Sequence, residues 1–356
     1  MRAILVEQFG GPEVLRPADA NVPEPCAGEL RIKLHAAGVN PVETYIRSGN
    51  YAAGLPALPY IPGADGAGVV DAIGDDVNAI KSNGDRLTGV STSSDAPGIP
   101  GMPGFPGFAP RLGIGDRVFV AGALSSRVTG TYAEYVVCDA KAVFPLPARM
   151  SFEQGAGLGT PGFTACQALF RRARLSPGES VLIHGASGGV GSLAVQLAKR
   201  HGAVVYGTAG GDRGLALLKE LGAARAFNHN DKNYIADILA ATGNRGVDVV
   251  IEMLANVNLE KDLSVLAERG RIAIVGNRGV LDFNPRLIML KDAEILGVML
   301  KNMRQDELTA NSHTLIAALD IGVRAVVAAA YPLEQAAAAH TDVIEKSSYG
   351  KIVLTI

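Results

Sequence analysis

Residues 180–191 read Ser180-Val181-Leu182-Ile183-His184-Gly185-Ala186-Ser187-Gly188-Gly189-Val190-Gly191. The apolar run over 180–184 predicts a short strand, and the apolar spacing over 189–201 predicts the helix that follows. Between them, glycines at 185, 188 and 191 make a G-x-x-G-x-x-G turn, a variant of the G-x-G-x-x-G fingerprint. A strand, a glycine turn and a helix start form an anion site from backbone N–H groups and the helix dipole. Inside a βαβ unit this pattern predicts dinucleotide binding, with Ser187, Gly188, Gly189 and Val190 at the pyrophosphate.

Downstream the alternation continues. Strands are expected over 204–206, 247–251, 271–275 and 294–298, with helices over 215–221 and 259–266. That rhythm predicts a doubly wound parallel α/β sheet covered on both faces. An NAD site usually places an acid about 20 residues after the fingerprint, on the ribose 2′-OH. Here the region reads Tyr206-Gly207-Thr208-Ala209-Gly210-Gly211, with no acid before Asp212. The missing carboxylate favours NADPH as the cofactor, with Arg213 or Lys219 near enough in sequence to meet a 2′-phosphate.

Upstream, residues 1 to about 150 alternate short β-rich runs (31–35, 67–70, 116–120, 135–137) with Gly/Pro turns. This half predicts a small β-barrel or sandwich. The tail carries one more strand over 351–354, which must pair, and the β-rich half is its natural host. Residues 97–108 repeat Pro-Gly every third position, which predicts an extended polyproline-type surface loop within an insertion at about 82–113.

Composition narrows the class. The chain has 356 residues, 48% hydrophobic and 19% charged, with a net charge of −2. These values read as a globular, non-membrane protein without the basic excess of a nucleic-acid binder. No apolar run approaches a bilayer span, and the N-terminus meets Glu7 and Gln8 too early for a signal peptide. Three widely separated cysteines, Cys26, Cys138 and Cys166, exclude a disulfide scaffold and fit a cytoplasmic location. Catalytic zinc needs three ligands. The stretches that would supply them, residues 38–43 (GVNPVE) and 62–68 (PGADGAG), hold no Cys or His, so no metal is expected.

The phrases GVNPVETYIRSG at 38–49, PYIPG at 59–63, the fingerprint, FNH at 227–229, IEMLANVNL at 251–259 and YPLE at 331–334 carry a family resemblance. The chain resembles the zinc-free quinone oxidoreductases of the medium-chain dehydrogenase/reductase superfamily, crystallin-type members in particular, over all but about residues 82–113. The resemblance implies a GroES-like β-barrel catalytic domain (1–153), a Rossmann NADP-binding domain (154–300) and a C-terminal return (301–356). It also implies cofactor contacts at Tyr45, Gly210, His229, Asn258, Val275, Gly276, Asn277, Arg278, Val298, Met299 and Leu300.

Direct hydride transfer to a quinone asks mainly that donor and acceptor be held face to face. The charge growing on the acceptor oxygen calls for a hydrogen-bond donor. Asn40 and Tyr51 are the candidates, with Tyr45 beside them, since related enoyl reductases carry a tyrosine matching Tyr51. NADPH-dependent reduction of an enone or enoyl thioester is the alternative reaction. A third reading, an RNA-binding or structural protein, rests on associations of the crystallin-type members and finds no basic stripe to support it. Homodimers or tetramers are expected, because the apolar strand near 295–300 would otherwise leave a sheet edge open.

Overall fold

A computed structural model describes residues 1–77, 112–346 and 349–356. The Pro-Gly repeat and most of the 82–113 insertion lie outside the described residues. The chain divides into two units, Met1–Thr160 with Arg324–Ile356, and Pro161–Val323.

In the second unit six strands are hydrogen-bonded in the order Arg225–Asn228, Val204–Ala209, Ser180–Ile183, Val247–Glu252, Leu266–Ile274, Glu294–Gly297. Every pair is parallel. In chain order that is 3-2-1-4-5-6, the doubly wound arrangement, whose order reverses between Ser180–Ile183 and Val247–Glu252. All four residues of Ser180–Ile183 are buried, which explains why this strand reads as an apolar run rather than an alternation. The helix Gly189–Arg200 buries the stretch from Gly191 to Ala198. It lies close because Gly191 has no side chain: a Cβ there would stand 2.5 Å from Gly185 O and from Ala186 Cα.

The strand Arg225–Asn228 and the helix Tyr234–Ala241 have no counterpart among the sequence expectations. A four-residue strand with one buried side chain, Phe227, is too short to print a period. The return to the first unit also comes later than 301. The helix Gln305–Asp320 belongs to the second unit, where Asn311 Nδ2 donates to Gln167 Oε1 at 2.8 Å and Leu315 packs on Gly162.

The first unit is built on an eleven-residue strand, Glu29–Val39, in a seven-stranded mixed sheet. Asp65–Ile73 pairs along one side of it. The other side is shared: Tyr135–Asp139 takes its first half, and the C-terminal strand Lys351–Thr355 takes its second, antiparallel, with Ile352 opposite Val39. The tail therefore pairs with the β-rich half of the chain. Val327–Pro332 extends the sheet beyond it in parallel, and Arg117–Ala121 and Val143–Pro145 extend the far side. Ile4, Val6, Tyr132, Leu333, Ile352 and Leu354 join one core, so both chain ends fold around the same apolar centre.

Candidate functional site

The expected cofactor residues of the second unit share one placement. Each follows the C-terminal end of one of the six parallel strands: 187–190 after Ile183, Gly210 after Ala209, His229 after Asn228, Asn258 in the helix entered after Glu252, 275–278 after Ile274 and 298–300 after Gly297. Ligands of doubly wound sheets bind outside that end, at the point where strand order reverses. The turn is built for an anion. Gly185 has φ +54°, and no side chain caps the helix that starts at Gly189. The positive end of the helix dipole stands behind this turn.

The lips of this crevice are tied together. Gly185 N donates to Thr208 Oγ1 (3.2 Å), Ala255 N to Gly276 O (3.0 Å), Asn256 N to Asn277 Oδ1 (3.1 Å) and Arg278 N to Asn256 Oδ1 (3.0 Å). Asn258 Nδ2 donates to Glu252 Oε1 at 3.2 Å. Asn230 Nδ2 donates to Gly210 O at 2.8 Å, and the exposed His229 ring sits beside Gly210. Arg213 lies in the first turn of the helix Asp212–Leu221, next to Gly210. Lys219 is in its last turn, roughly 9 Å further along the axis at 1.5 Å per residue. Of the two basic candidates, Arg213 is the nearer to Gly210.

In the first unit the structure draws together residues that the sequence keeps far apart. Lys351, almost wholly buried, donates through Nζ to Asn40 Oδ1 and lies 3.4 Å from Asp65 Oδ2. Asn40 Nδ2 donates to Asp65 Oδ2 (2.9 Å) and Glu43 Oε1 (3.1 Å). Asp65 Oδ1 accepts from Thr160 N and Thr160 Oγ1, both at 2.7 Å. Glu43 also accepts from Asn40 N (2.8 Å), Ala64 N (3.1 Å) and the Tyr132 hydroxyl (2.7 Å), which in turn meets His340 Nε2 at 3.0 Å. Burial pushes the Glu43 carboxyl up, and Lys351 and the Asn40 amide pull it back. Burial holds His340 down to about 3, so it is neutral and its Nε2–H is the donor to Tyr132.

This geometry changes the part expected of Asn40. Both hydrogens of its amide are engaged by carboxylates, so it is a link in the buried cluster and not a free donor to a substrate. Tyr45, on the helix Pro41–Arg47, and Tyr51 are partly buried, and neither hydroxyl has a partner among the described residues. Lys351, Asp65, Tyr132 and His340 escaped the sequence reading. One signal was available: a lysine opening an apolar strand, Lys351-Ile352-Val353-Leu354, must either face water or find a buried acid.

Zinc does not fit here. Where a metal ligand set would stand, Asn40 is an amide and Asp65 is already held by Lys351, Asn40 and Thr160. Among the described residues one His/Cys/Asp/Glu group is compact enough for a metal, His184 with Glu252 and Asp262, and it lies in the other unit. Cys138 and Cys166 are buried, and burial raises both thiols, Cys166 to about 12, so neither supplies a ready thiolate.

Comparison with known proteins gives a consistent picture. A family model described as alcohol dehydrogenase GroES-like domain matches residues 26–148, and one described as zinc-binding dehydrogenase matches 189–330. A quinone oxidoreductase of Rattus norvegicus is 45% identical, over 100% of this chain and 98% of its own. Among solved structures, an NAD-dependent alcohol dehydrogenase is 32% identical with a TM-score of 0.80, covering 100% of both chains. The Escherichia coli quinone oxidoreductase complexed with NADPH is 28% identical with a TM-score of 0.81, again over 100% of both.

Replacing Lys351 with Met would leave Asp65 and Glu43 without their buried cation. We expect a loss of about 3–5 kcal/mol in unfolding free energy, the usual cost of breaking one side of a buried pair. Urea melts of the two proteins measure it, and a change within error would contradict the assigned role.

Proposed function

The chain belongs to the quinone oxidoreductases of the medium-chain dehydrogenase/reductase superfamily, of the ζ-crystallin type, and from that premise we propose an NADPH:quinone oxidoreductase working by direct, zinc-independent hydride transfer. The observation that carries the cofactor choice is the end of the strand Val204–Ala209. It runs into Gly210 and Gly211 with Arg213 at the helix start, where an NAD site would carry an acid.

NADPH, when bound, supplies the hydride. The chain's own residues do the rest by placement. Ser187, Gly188, Gly189 and Val190 receive the pyrophosphate on backbone amides, and Arg213 receives the 2′-phosphate. Gly210, His229 and Asn258 border the adenosine half. Residues 275–278 and 298–300 border the nicotinamide half. The Tyr51 hydroxyl is the donor to the quinone oxygen as negative charge grows there, a term that acts most strongly once water is excluded. Glu43, Asp65 and Lys351 act on Asn40 and on the helix Pro41–Arg47, so they are positioning residues for Tyr45.

We also propose a homodimer formed along the edge strand Glu294–Gly297. Its open edge is accompanied by exposed apolar side chains, Val280 at 99%, Met289 at 70% and Leu290 at 69%. An unpaired edge beside such a surface invites a second copy. A cytoplasmic location is supported by the unpaired cysteines, and no helix among the described residues is long and apolar enough to cross a membrane.

Purified protein should consume NADPH with an ortho-quinone, more slowly with NADH, and little with a trans-2-enone. Tyr51→Phe should lower the quinone rate about tenfold or less, whereas an enoyl reductase that draws its proton from Tyr51 would lose nearly all activity. Turnover with the enone alone would overturn the quinone reading. Sedimentation velocity tests the assembly: Met289→Lys with Leu290→Lys should convert a dimer to a monomer, and an unaltered dimer would place the interface elsewhere.

A further inference from the structure

The helix Ala255–Val265 lacks a cap of its own. Leu254, at its cap position, carries no polar side-chain atom to accept from the first helical amides, which a helix leaves without partners inside itself. The neighbouring loop supplies what is missing. Val247–Glu252 and Leu266–Ile274 are parallel neighbours, so the chain leaves both at the same end of the sheet, roughly 4.8 Å apart. Ala255 N donates to Gly276 O at 3.0 Å, and Asn256 N donates to Asn277 Oδ1, 21 positions along the chain, at 3.1 Å. The loop after Ile274 thereby caps the helix that follows the adjacent strand.

The exchange runs both ways. Asn256 Oδ1 accepts from Arg278 N at 3.0 Å, and Asn277 Nδ2 donates to Gly279 O at 2.6 Å. These partners fix the orientation of both side-chain amides, since a backbone N–H needs the oxygen and a carbonyl needs the nitrogen. Both polar atoms of the Asn277 side chain are therefore engaged within the protein. From 275 to 284 the chain runs without helix or strand. Its first residues are held by the two asparagines, by Ala255 N on Gly276 O, and by Val275 N and Gly276 N, which both donate to Glu252 O.

We propose that Asn256 and Asn277 form a reciprocal clamp that positions residues 275–278 for the nicotinamide half of the cofactor, and that the pair governs hydride transfer rather than capture of the adenosine half. The proposal rests on the cofactor reading above. It makes Asn277 a positioning residue through its side chain and adds Asn256 as its counterpart. A doubly wound sheet binds its dinucleotide across the point where strand order reverses, one half on each side. Val247–Glu252 and Leu266–Ile274, whose following loops the clamp joins, lie on one side of that point. The strands that lead to Gly210 and His229 lie on the other. Loosening the clamp therefore displaces the hydride donor, and transfer rates fall steeply with such displacement. The 2′-phosphate end keeps its own supports.

The test uses Asn256→Ala, Asn277→Ala, the double variant and Asn256→Asp. Quinone reduction at saturating NADPH should fall about tenfold in either alanine variant, short of the roughly hundredfold that a misplacement of about 1 Å costs. The double variant should lose little more than the worse single one, because both substitutions free the same segment. Asn256→Asp keeps the oxygen that Arg278 N needs and should retain most of the rate. Binding of 2′,5′-ADP, which presents the adenosine half alone, should be unchanged within error in all four. Full quinone rates in both alanine variants would overturn the proposal. So would a parallel loss of 2′,5′-ADP affinity, which marks general damage to the fold. Hydrogen exchange without cofactor separates the clamp from the cofactor reading: amides in 254–258 and 275–279 should exchange faster in the alanine variants than in wild type. Unaltered exchange there would overturn the clamp itself. If wild type binds no NADPH, the cofactor reading fails and takes the catalytic role with it, while faster exchange would still uphold the clamp.

Discussion

A lysine ammonium taken out of water constrains the whole first unit. Lys351 sits at the start of the last strand, and its Nζ reaches Asn40, 311 positions earlier in the chain, and Asp65. Burying that charge costs several kcal/mol unless partners surround it. The partners can be assembled only if Lys351–Thr355 pairs with the second half of Glu29–Val39 and Asp65–Ile73 lies on its other side. Register follows: a slip of one residue would turn Lys351 to the opposite face and strand both carboxylates. The same cluster holds Asn40, which caps the helix Pro41–Arg47, and, through Thr160, the start of the helix Gly159–Cys166. One polar knot thereby fixes the helix that carries Tyr45.

The second unit solves a similar problem differently. Its central strand, Ser180–Ile183, is buried throughout, and parallel strands covered on both faces are specified largely by such burial. Asp248 pairs with Arg245 and Arg271 with Glu179, all short of full burial, whereas His184, Glu252 and Asp262 are buried together. Both units keep one compact group of ionisable side chains buried in the interior. The surface carries the rest of the charge in short exposed pairs such as Arg304 with Asp306, which contribute little to stability.

What the sequence disclosed follows the range of the interactions. The fingerprint was legible because strand, turn and helix are contiguous, and each glycine has a local reason. The doubly wound parallel sheet was legible from the strand–helix alternation that follows, though not its strand order. Arg225–Asn228 escaped notice because its pairing with Val204–Ala209, and not its own composition, makes it a strand. The return to the first unit was placed at 301 by the family resemblance. Contacts from Gln167 to Asn311 and Gly162 to Leu315, invisible along the chain, keep the following helix in the second unit. Asn40 was read as a substrate donor for the same reason: its true partners, Asp65 and Lys351, lie 25 and 311 positions away.

The central claim is that placement alone, enforced by the buried clusters, does the work that metal ligands do in zinc dehydrogenases of similar fold. Its most direct test is the rate of NADPH oxidation by an ortho-quinone after exhaustive dialysis against a chelator, with metal content measured on the same sample. The account predicts an undiminished rate in metal-free protein and no gain when zinc is restored. A rate that collapses on dialysis and returns with stoichiometric zinc would contradict it.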